Sequence, residues 1–258
     1  MAGSTAGSRG RADLHFHLLP GVDDGPKTEE ESIELARLAL ADGTSTIVAT
    51  PHVRDLSRLD EVPARLSRLG ERLDREGVPV EVLAGGELAQ EDVLSGDLRE
   101  YDLIAQGPAE ARWLLLEAPL FAAPLEGLHA AADELRARGF AVVLAHPERC
   151  DDLFEEDRQP LRRELDRGAR LLLNATSLTG LHGERARQFA LGLLSDGTAT
   201  AVASDAHRPS RGPALSAALS AAIAAGVDAV AARAAVEAAP RELLTGGLRR
   251  GDAFPCGQ

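Results

Sequence analysis

The chain has 258 residues, 44% of them apolar and 27% charged, with a formal net charge of −13. That length accommodates one large core such as a closed α/β barrel, and an acidic balance with no compensating basic run excludes nucleic acid as a bulk partner. Two cysteines, Cys150 and Cys256, are too few for a disulfide framework, and no apolar run reaches the ~18 residues of a membrane span, so a cytoplasmic protein without membrane insertion is expected.

Residues 1–11 are small and polar and read as a disordered tail. The first strand is expected over 12–17. Thr28-Glu-Glu-Glu31 is a capping box that opens a helix running to Ala41, with Gly43 just past its end. A second strand is expected over 45–50. Leu59, Val62, Leu66, Leu69 and Leu73 then step by three and four along one helical face. Strands over 80–84 and 113–117 follow, then a helix carrying Leu125, Leu128, Ala132 and Leu135. Strands over 141–145 and 170–174 come next, then a helix with Ala186, Phe189, Ala190 and Leu193. A last strand over 200–204 precedes two alanine-rich helices near 214–225 and 228–238. Most strand runs are continuously apolar, as expected of parallel strands covered on both faces. Seven strands alternating with helices, without a linker, predict a single α/β domain over 12–248 closed into a barrel. Residues 249–258 read as a C-terminal tail.

Five of the seven histidines stand at the ends of these strands. His15-Phe-His17 places two imidazoles on one side of an extended chain. Asp23-Asp24 lies in a Pro/Gly-rich turn that can aim a carboxylate, Asp24, at the same point. His52 ends the second strand. Glu87 follows Gly85-Gly86, which permit close backbone approach beside a site. His146 ends the fifth strand, and Asp205-Ala-His207 the seventh. Singly, each has a plain reading as a core histidine, a turn aspartate or a solvated glutamate. Jointly, on the rim to which parallel strands deliver their ends, they predict a metal centre. The donors are all nitrogen and oxygen, which suits Mn²⁺, Fe²⁺ or Zn²⁺. Eight candidate ligands are too many for one ion and fit two or three ions sharing carboxylates, a device of phosphoester hydrolysis.

Arg149, three residues after His146, and Arg211, four after His207, are candidates to hold a phosphate by bidentate hydrogen bonds. Arg208 competes in the same loop, and plain surface charge is the alternative for each. Other catalytic plans fail. The sixth residue after Cys150 is Glu156, not the arginine of a cysteine phosphatase, and the lone lysine, Lys27, stands in the first loop rather than on a strand. A phosphate-binding Gly-x4-Gly-Lys-Ser/Thr loop is absent. His129 and His182, away from strand ends, read as structural.

The run from Asp13 to Pro26, then Thr50-Pro-His52, Gly85-Gly-Glu87, Ala145-His-Pro-Glu-Arg149, Asn174-Ala-Thr-Ser-Leu-Thr-Gly180 and Ser204-Asp-Ala-His207, resemble the PHP (polymerase and histidinol phosphatase) superfamily. Within it they look like the bacterial manganese-dependent protein tyrosine phosphatases of the CpsB/YwqE type. The motifs keep family order from Asp13 to about Gly247. The resemblance implies a distorted (β/α)7 barrel, the PHP fold, with a trinuclear centre. His15, His17, Glu87 and Asp205 would hold one ion, with Glu87 bridging to a second held by His146. Asp24, His52 and His207 would hold the third, and the phosphate would fall to Arg149 and Arg211. It further implies hydrolysis of protein phosphotyrosine by a metal-bound hydroxide without a phosphoenzyme. The implied partner is a bacterial tyrosine kinase in exopolysaccharide or capsule control. Leu88-Ala89-Gln90 departs from the aromatic residues often found there, and single residues Tyr101 and Trp113 offer no obvious stacking platform. A histidinol-phosphatase-like enzyme for small molecules, or a non-catalytic metal-binding regulatory module, are the alternatives. No leaving-group acid and no oligomeric state can be read from the chain.

Overall fold

The structure is a computed structural model that describes residues 10–56, 58–95, 98–120 and 125–249. Most of both expected tails, 1–9 and 250–258, lies outside the described residues. Arg11, assigned to the tail by sequence, instead opens the first strand and bonds the Asp42 carbonyl at 2.7 Å.

The strands are β1 (Arg11–Phe16), β2 (Thr44–Ala49), β3 (Glu81–Ala84), β4 (Glu87–Leu88), β5 (Trp113–Glu117), β6 (Ala141–Ala145), β7 (Arg170–Asn174) and β8 (Ala201–Ala203). All pairs are parallel, in the orders β1-β2-β3 and β4-β5-β6-β7-β8. Two seams join these sheets into a ring. The Asp205 N–H donates to the His15 carbonyl and the His17 N–H to the Ala206 carbonyl, each at 2.9 Å, linking β8 to β1. The Glu87 N–H donates to the Pro51 carbonyl at 3.0 Å, carrying the ladder from the end of β2 to β4. β3 and β4 are therefore two halves of one strand, so the eight segments form the expected seven-membered distorted barrel. The break falls at Gly85-Gly86, where the backbone passes close to its neighbours. A Cβ on Gly85 would lie 2.6 Å from Val48 Cγ1, and one on Gly86 2.8 Å from Ile104 Cδ1.

The helices are α1 (Glu29–Ala41), α2 (Glu61–Arg75), α3 (Gln90–Ser95), α4 (Leu125–Ala137), α5 (Gln159–Asp166), α6 (Ala175–Leu178), α7 (Glu184–Ser195), α8 (Leu215–Ala224), α9 (Ala229–Arg233) and α10 (Ala239–Gly246). Thr28 Oγ1 caps α1 by accepting the Glu31 N–H at 3.3 Å. The reciprocal bond is shifted by one residue, because Glu31 Oε2 accepts from Lys27 N–H, at 2.7 Å, instead of Thr28. α2 buries Val62, Leu66, Leu69 and Leu73, as their spacing predicts. The last expected helix does not stop at Ala238. α9 passes through a π turn, Ala234–Ala238, into α10, whose first turn carries Pro240. Pro240 offers no N–H to the carbonyls of the preceding turn, and the wider π turn accommodates its ring.

Strand alternation sorts the core into an inner and an outer layer. Trp113 and Leu115 of β5, Ala141, Val143 and Ala145 of β6, Leu172 of β7, and Ala201 and Ala203 of β8 fill the barrel. The alternate residues Leu114, Leu116, Val142, Leu144, Leu171, Leu173 and Val202 pack outward under the helices. The floor, at the N-terminal ends of the strands, is closed by Trp113 with Leu243 and Leu248, and the Trp113 indole N–H donates to the Leu243 carbonyl at 2.9 Å. Continued upward, the inward rows end in Glu117 after Leu115, Asn174 after Leu172 and Asp205 after Ala203. The polar site begins where the apolar filling stops.

Candidate metal centre

Every strand end expected to supply a ligand brings its side chain to the same rim. His15 Nε2 lies 3.2 Å from Glu87 Oε2 and 3.4 Å from Asp205 Oδ1. His17 Nε2 lies 3.4 Å from Glu87 Oε2, 3.5 Å from Asp205 Oδ1 and 3.3 Å from His15 Nε2. His146 Nε2 is 3.0 Å from Glu87 Oε1, the other oxygen of the same carboxylate. Asp24 Oδ1 stands 3.3 Å from His207 Nε2 and 3.6 Å from His52 Nε2. The eight residues read from the sequence thus meet in one cluster. Asp24 is half-exposed at its mouth, while Glu87 and His17 are fully enclosed.

Three groups offer ligand atoms that all lie within 4.8 Å of one another: His17, Asp24, His52 and His207; His15, His17 and Glu87; and His52, Glu87 and Glu117. Glu117 was not anticipated. No histidine stands beside it, and a carboxylate closing a strand is commonly solvated. The signal was the inward row Trp113, Leu115, Glu117, whose last member points where Asp205 points. Arg54 was also missed. Its Nη1 donates to Glu117 Oε2 at 3.1 Å, and its Nη2 lies 3.3 Å from His52 Nδ1.

The chain bends sharply to present two of these groups. His146 adopts φ 35° and ψ 49°, and Asp205 φ 52°, both left-handed. Such conformations cost about 1–3 kcal/mol each for a non-glycine residue, and they cluster at functional sites. Neighbouring groups fix the rings and carboxylates. Asp23, the partner of Asp24 in the turn, accepts from His17 Nδ1 at 2.7 Å and from the His52 N–H at 3.1 Å. That bond holds the His17 ring with Nε2 facing the cluster. Asn174 Nδ2 donates to Asp205 Oδ2 at 2.7 Å. Glu148 Oε1 accepts the Asn174 N–H at 3.0 Å and the Ser177 hydroxyl at 2.6 Å, tying the loop before Arg149 to β7.

The two expected arginines converge. Arg211 Nη2 lies 2.7 Å and Arg149 Nη1 3.5 Å from the same oxygen, Asp205 Oδ2. Arg208 instead donates from Nε and Nη2 to the Asp24 carbonyl, at 3.2 and 3.0 Å. The geometry therefore groups Arg211 with Arg149 and makes Arg208 a brace for the Asp24 turn. His129 is structural, as expected. Its Nδ1 lies 2.6 Å from Glu164 Oε1, and Arg136 donates to Glu164 Oε2 at 2.7 Å. His182 bonds Thr176 Oγ1 at 2.9 Å, and that hydroxyl donates to Asn174 Oδ1 at 2.7 Å, so the ring ends a chain leading to Asp205. Burial, then the charges of Arg149 and Arg211, push the His182 pKa down to about 4.

Burial opposes charge throughout the cluster, yet pairing dominates. At Glu87 and Asp205 burial is outweighed by the surrounding histidines, and both carboxyls are held well below their usual range. At His17 burial is outweighed by hydrogen bonds to Asp205, Asp23 and Glu87, which lift the ring well above its ordinary value. The donor chemistry fits divalent metal: converging imidazole nitrogens and carboxylate oxygens, a shared Glu87, and a buried His146 Nδ1 that finds no hydrogen-bond partner among the described residues.

The chain is a parallel α/β barrel with imidazoles and carboxylates that could hold metal gathered at the C-terminal rim of its strands. The fold is shared with the phosphotriesterase homology protein of Escherichia coli, at a TM-score of 0.61 and 13% identity over 91% of this chain and 98% of that one. The sequence profile described as capsular polysaccharide synthesis, CpsB/CapC, matches residues 11–244. The chain belongs to that CpsB/CapC family. It is 33% identical over 198 residues, 76% of each chain, to the tyrosine-protein phosphatase YwqE of Bacillus subtilis. It also matches a solved structure from work on YwqE of B. subtilis and CpsB of Streptococcus pneumoniae, described as metal-dependent tyrosine phosphatases. That match has a TM-score of 0.76 and 28% identity, covering 94% of this chain and 98% of that one.

Proposed function

We propose that the chain is a metal-dependent phosphomonoester hydrolase that removes phosphate from protein phosphotyrosine. One observation carries the reading: three overlapping ligand groups share one rim with two guanidiniums that converge on Asp205 Oδ2. His15, His17, Glu87 and Asp205 would hold one ion, Glu87 and His146 a second with Glu117 at hand, and Asp24, His52 and His207 a third. Manganese is the proposed metal, and iron or zinc would suit the same donors. Bound ions supply Lewis-acid charge and bring the pKa of water toward ~7.

The rest falls to the chain's own groups. Arg149 and Arg211, partly exposed, turn from Asp205 to the non-bridging oxygens of a phosphate at the rim and stabilise the charge that develops there. Asn174 keeps Asp205 oriented meanwhile. Among the described residues no cysteine route competes, because Cys150 is buried and burial pushes its thiol pKa up. A phenolate leaving group with a pKa of ~10 departs without a dedicated acid. No helix among the described residues is long and apolar enough to cross a membrane. The acidic chain is proposed to work in the cytoplasm on a tyrosine kinase of capsule or exopolysaccharide assembly.

The test is to strip the protein with chelator, reload it with Mn²⁺, Fe²⁺ or Zn²⁺, and compare a phosphotyrosine peptide, a phosphoserine peptide and histidinol phosphate. Metal-restored activity on phosphotyrosine is expected, strongest with Mn²⁺. Full activity after exhaustive chelation, or turnover confined to histidinol phosphate, would reject the reading.

A further inference from the structure

We propose that the cleft bounded by Arg54, Ala89, Gln90, Glu117, Pro119 and Leu120 seats the phenyl ring of phosphotyrosine. This rests on the phosphatase reading above and adds the residues that select an aryl ester. The cleft holds about 290 Å³, at the lower end of small-ligand sites. It is continuous with the metal centre: Glu117 belongs to both, and Arg54 reaches Glu117 at 3.1 Å and His52 at 3.3 Å. A phosphate on the metal side of Glu117 can therefore place its ester substituent at the cleft mouth.

The walls suit a ring without an aromatic platform. Tyr101 and Trp113 are buried in the core, 2% and 1% exposed, and neither lines the cleft. Beside the polar Arg54, Gln90, Glu91 and Glu117, the residues Ala89, Pro119 and Leu120 supply aliphatic surface, and a planar ring gains from burial against it. The depression beside Arg149 is a poorer seat. Glu148, Arg149, Asp151, His182 and Arg185 make most of its lining, and its apolar side chains are Ala186 and Leu120, the latter shared with the first cleft. The methylene of a phosphoserine would leave the aliphatic cleft unfilled, so the cleft gives a physical basis for preferring tyrosine.

Calorimetric titration of the manganese-loaded protein with phenylphosphonate and methylphosphonate isolates the ring from the phosphate. Phenylphosphonate is expected to bind on the order of tenfold more tightly. Ala89→Trp, which fills the cleft, and Pro119→Ala, which trims a wall of this cleft and not of the other, should each shrink that gap. Arg185→Ala, in the other depression, should leave it. Pro119 is partly exposed, so its truncation decides the matter if Ala89→Trp fails to fold. Equal affinities in the unaltered protein, a gap untouched by both cleft variants, or a gap lost with Arg185→Ala would overturn the assignment. Phosphotyrosine turnover alongside equal affinities sinks the cleft alone, whereas absence of turnover with the gap present sinks the phosphatase reading alone.

Discussion

The two ends of the barrel are built from the same strands and made stable in opposite ways. β5 begins in Trp113, sealed against Leu243 and Leu248 at the floor, and ends in Glu117 at the rim. At the floor, apolar surface leaves water at about 25 cal/mol per Å², and one indole N–H needs one carbonyl. At the rim, carboxylates and imidazoles are desolvated, a process favourable only when each charge meets a partner. Two residues there, His146 and Asp205, also adopt left-handed backbone. Floor packing thus offsets a rim that is strained and charge-crowded, and the folding energy is concentrated away from the reactive groups.

The sharpest test crosses the two ends. Asp205→Asn should lower kcat by on the order of 10³-fold through lost metal retention. Its unfolding free energy should fall by about 1–3 kcal/mol, because Asn keeps the left-handed backbone that Asp205 adopts but loses the buried charge that Arg211 faces. Trp113→Ala should do the reverse, losing about 3–5 kcal/mol in urea unfolding while the molecules that remain folded keep their kcat. Comparable stability loss in both variants would show that rim and floor are one cooperative device, and the contrast would be gone.

Within the rim, the comparison narrows to arginines. Arg149→Ala should cost about 10²–10³ in kcat/KM, the scale of losing one preorganised donor to a developing oxyanion. Arg208→Ala should cost much less, since its guanidinium is occupied by the Asp24 carbonyl. Steady-state kinetics on an aryl phosphate separates them. Equal losses would return Arg208 to the phosphate.

Most of this arrangement is legible in the chain because parallel strands print both their interior and their ends in local sequence. Apolar runs marked the strands, and histidines at their ends marked the rim. What escaped depended on three-dimensional closure. Gly85-Gly86 reads as a close approach, but that the strand splits there into β3 and β4 depends on Val48 and Ile104, remote in sequence. Glu117 and Asn174 become inward-facing only once the alternation of β5 and β7 is fixed by their neighbours. Asp23 and Asp24 are indistinguishable as a dipeptide. The turn gives one to His17 as a hydrogen-bond acceptor and leaves the other facing His52 and His207. Alanine-rich sequence near the C-terminus carries no stop signal, so the helix ran past its expected end to Gly246.

His182 is the smallest and most discriminating case, because a loop histidine read as structural stands beside the charged rim. Its Nε2–H donates to Thr176 Oγ1, whose own proton goes to Asn174, and the nearby Arg149 and Arg211 would be repelled by a protonated ring. The folded pKa of about 4 lies below the ordinary 6.5, so between those values the unfolded chain binds the extra proton. The resulting contribution to stability is fully present above pH 6.5 and is lost as pH falls toward 4. Urea unfolding of the protein and of His182→Phe at pH 7, 6 and 5 should therefore give a stability difference that shifts in favour of the variant as pH drops, other titrations cancelling between the two. A difference independent of pH would mean the ring titrates as it does in water, and the electrostatic reach of the rim would end short of this loop.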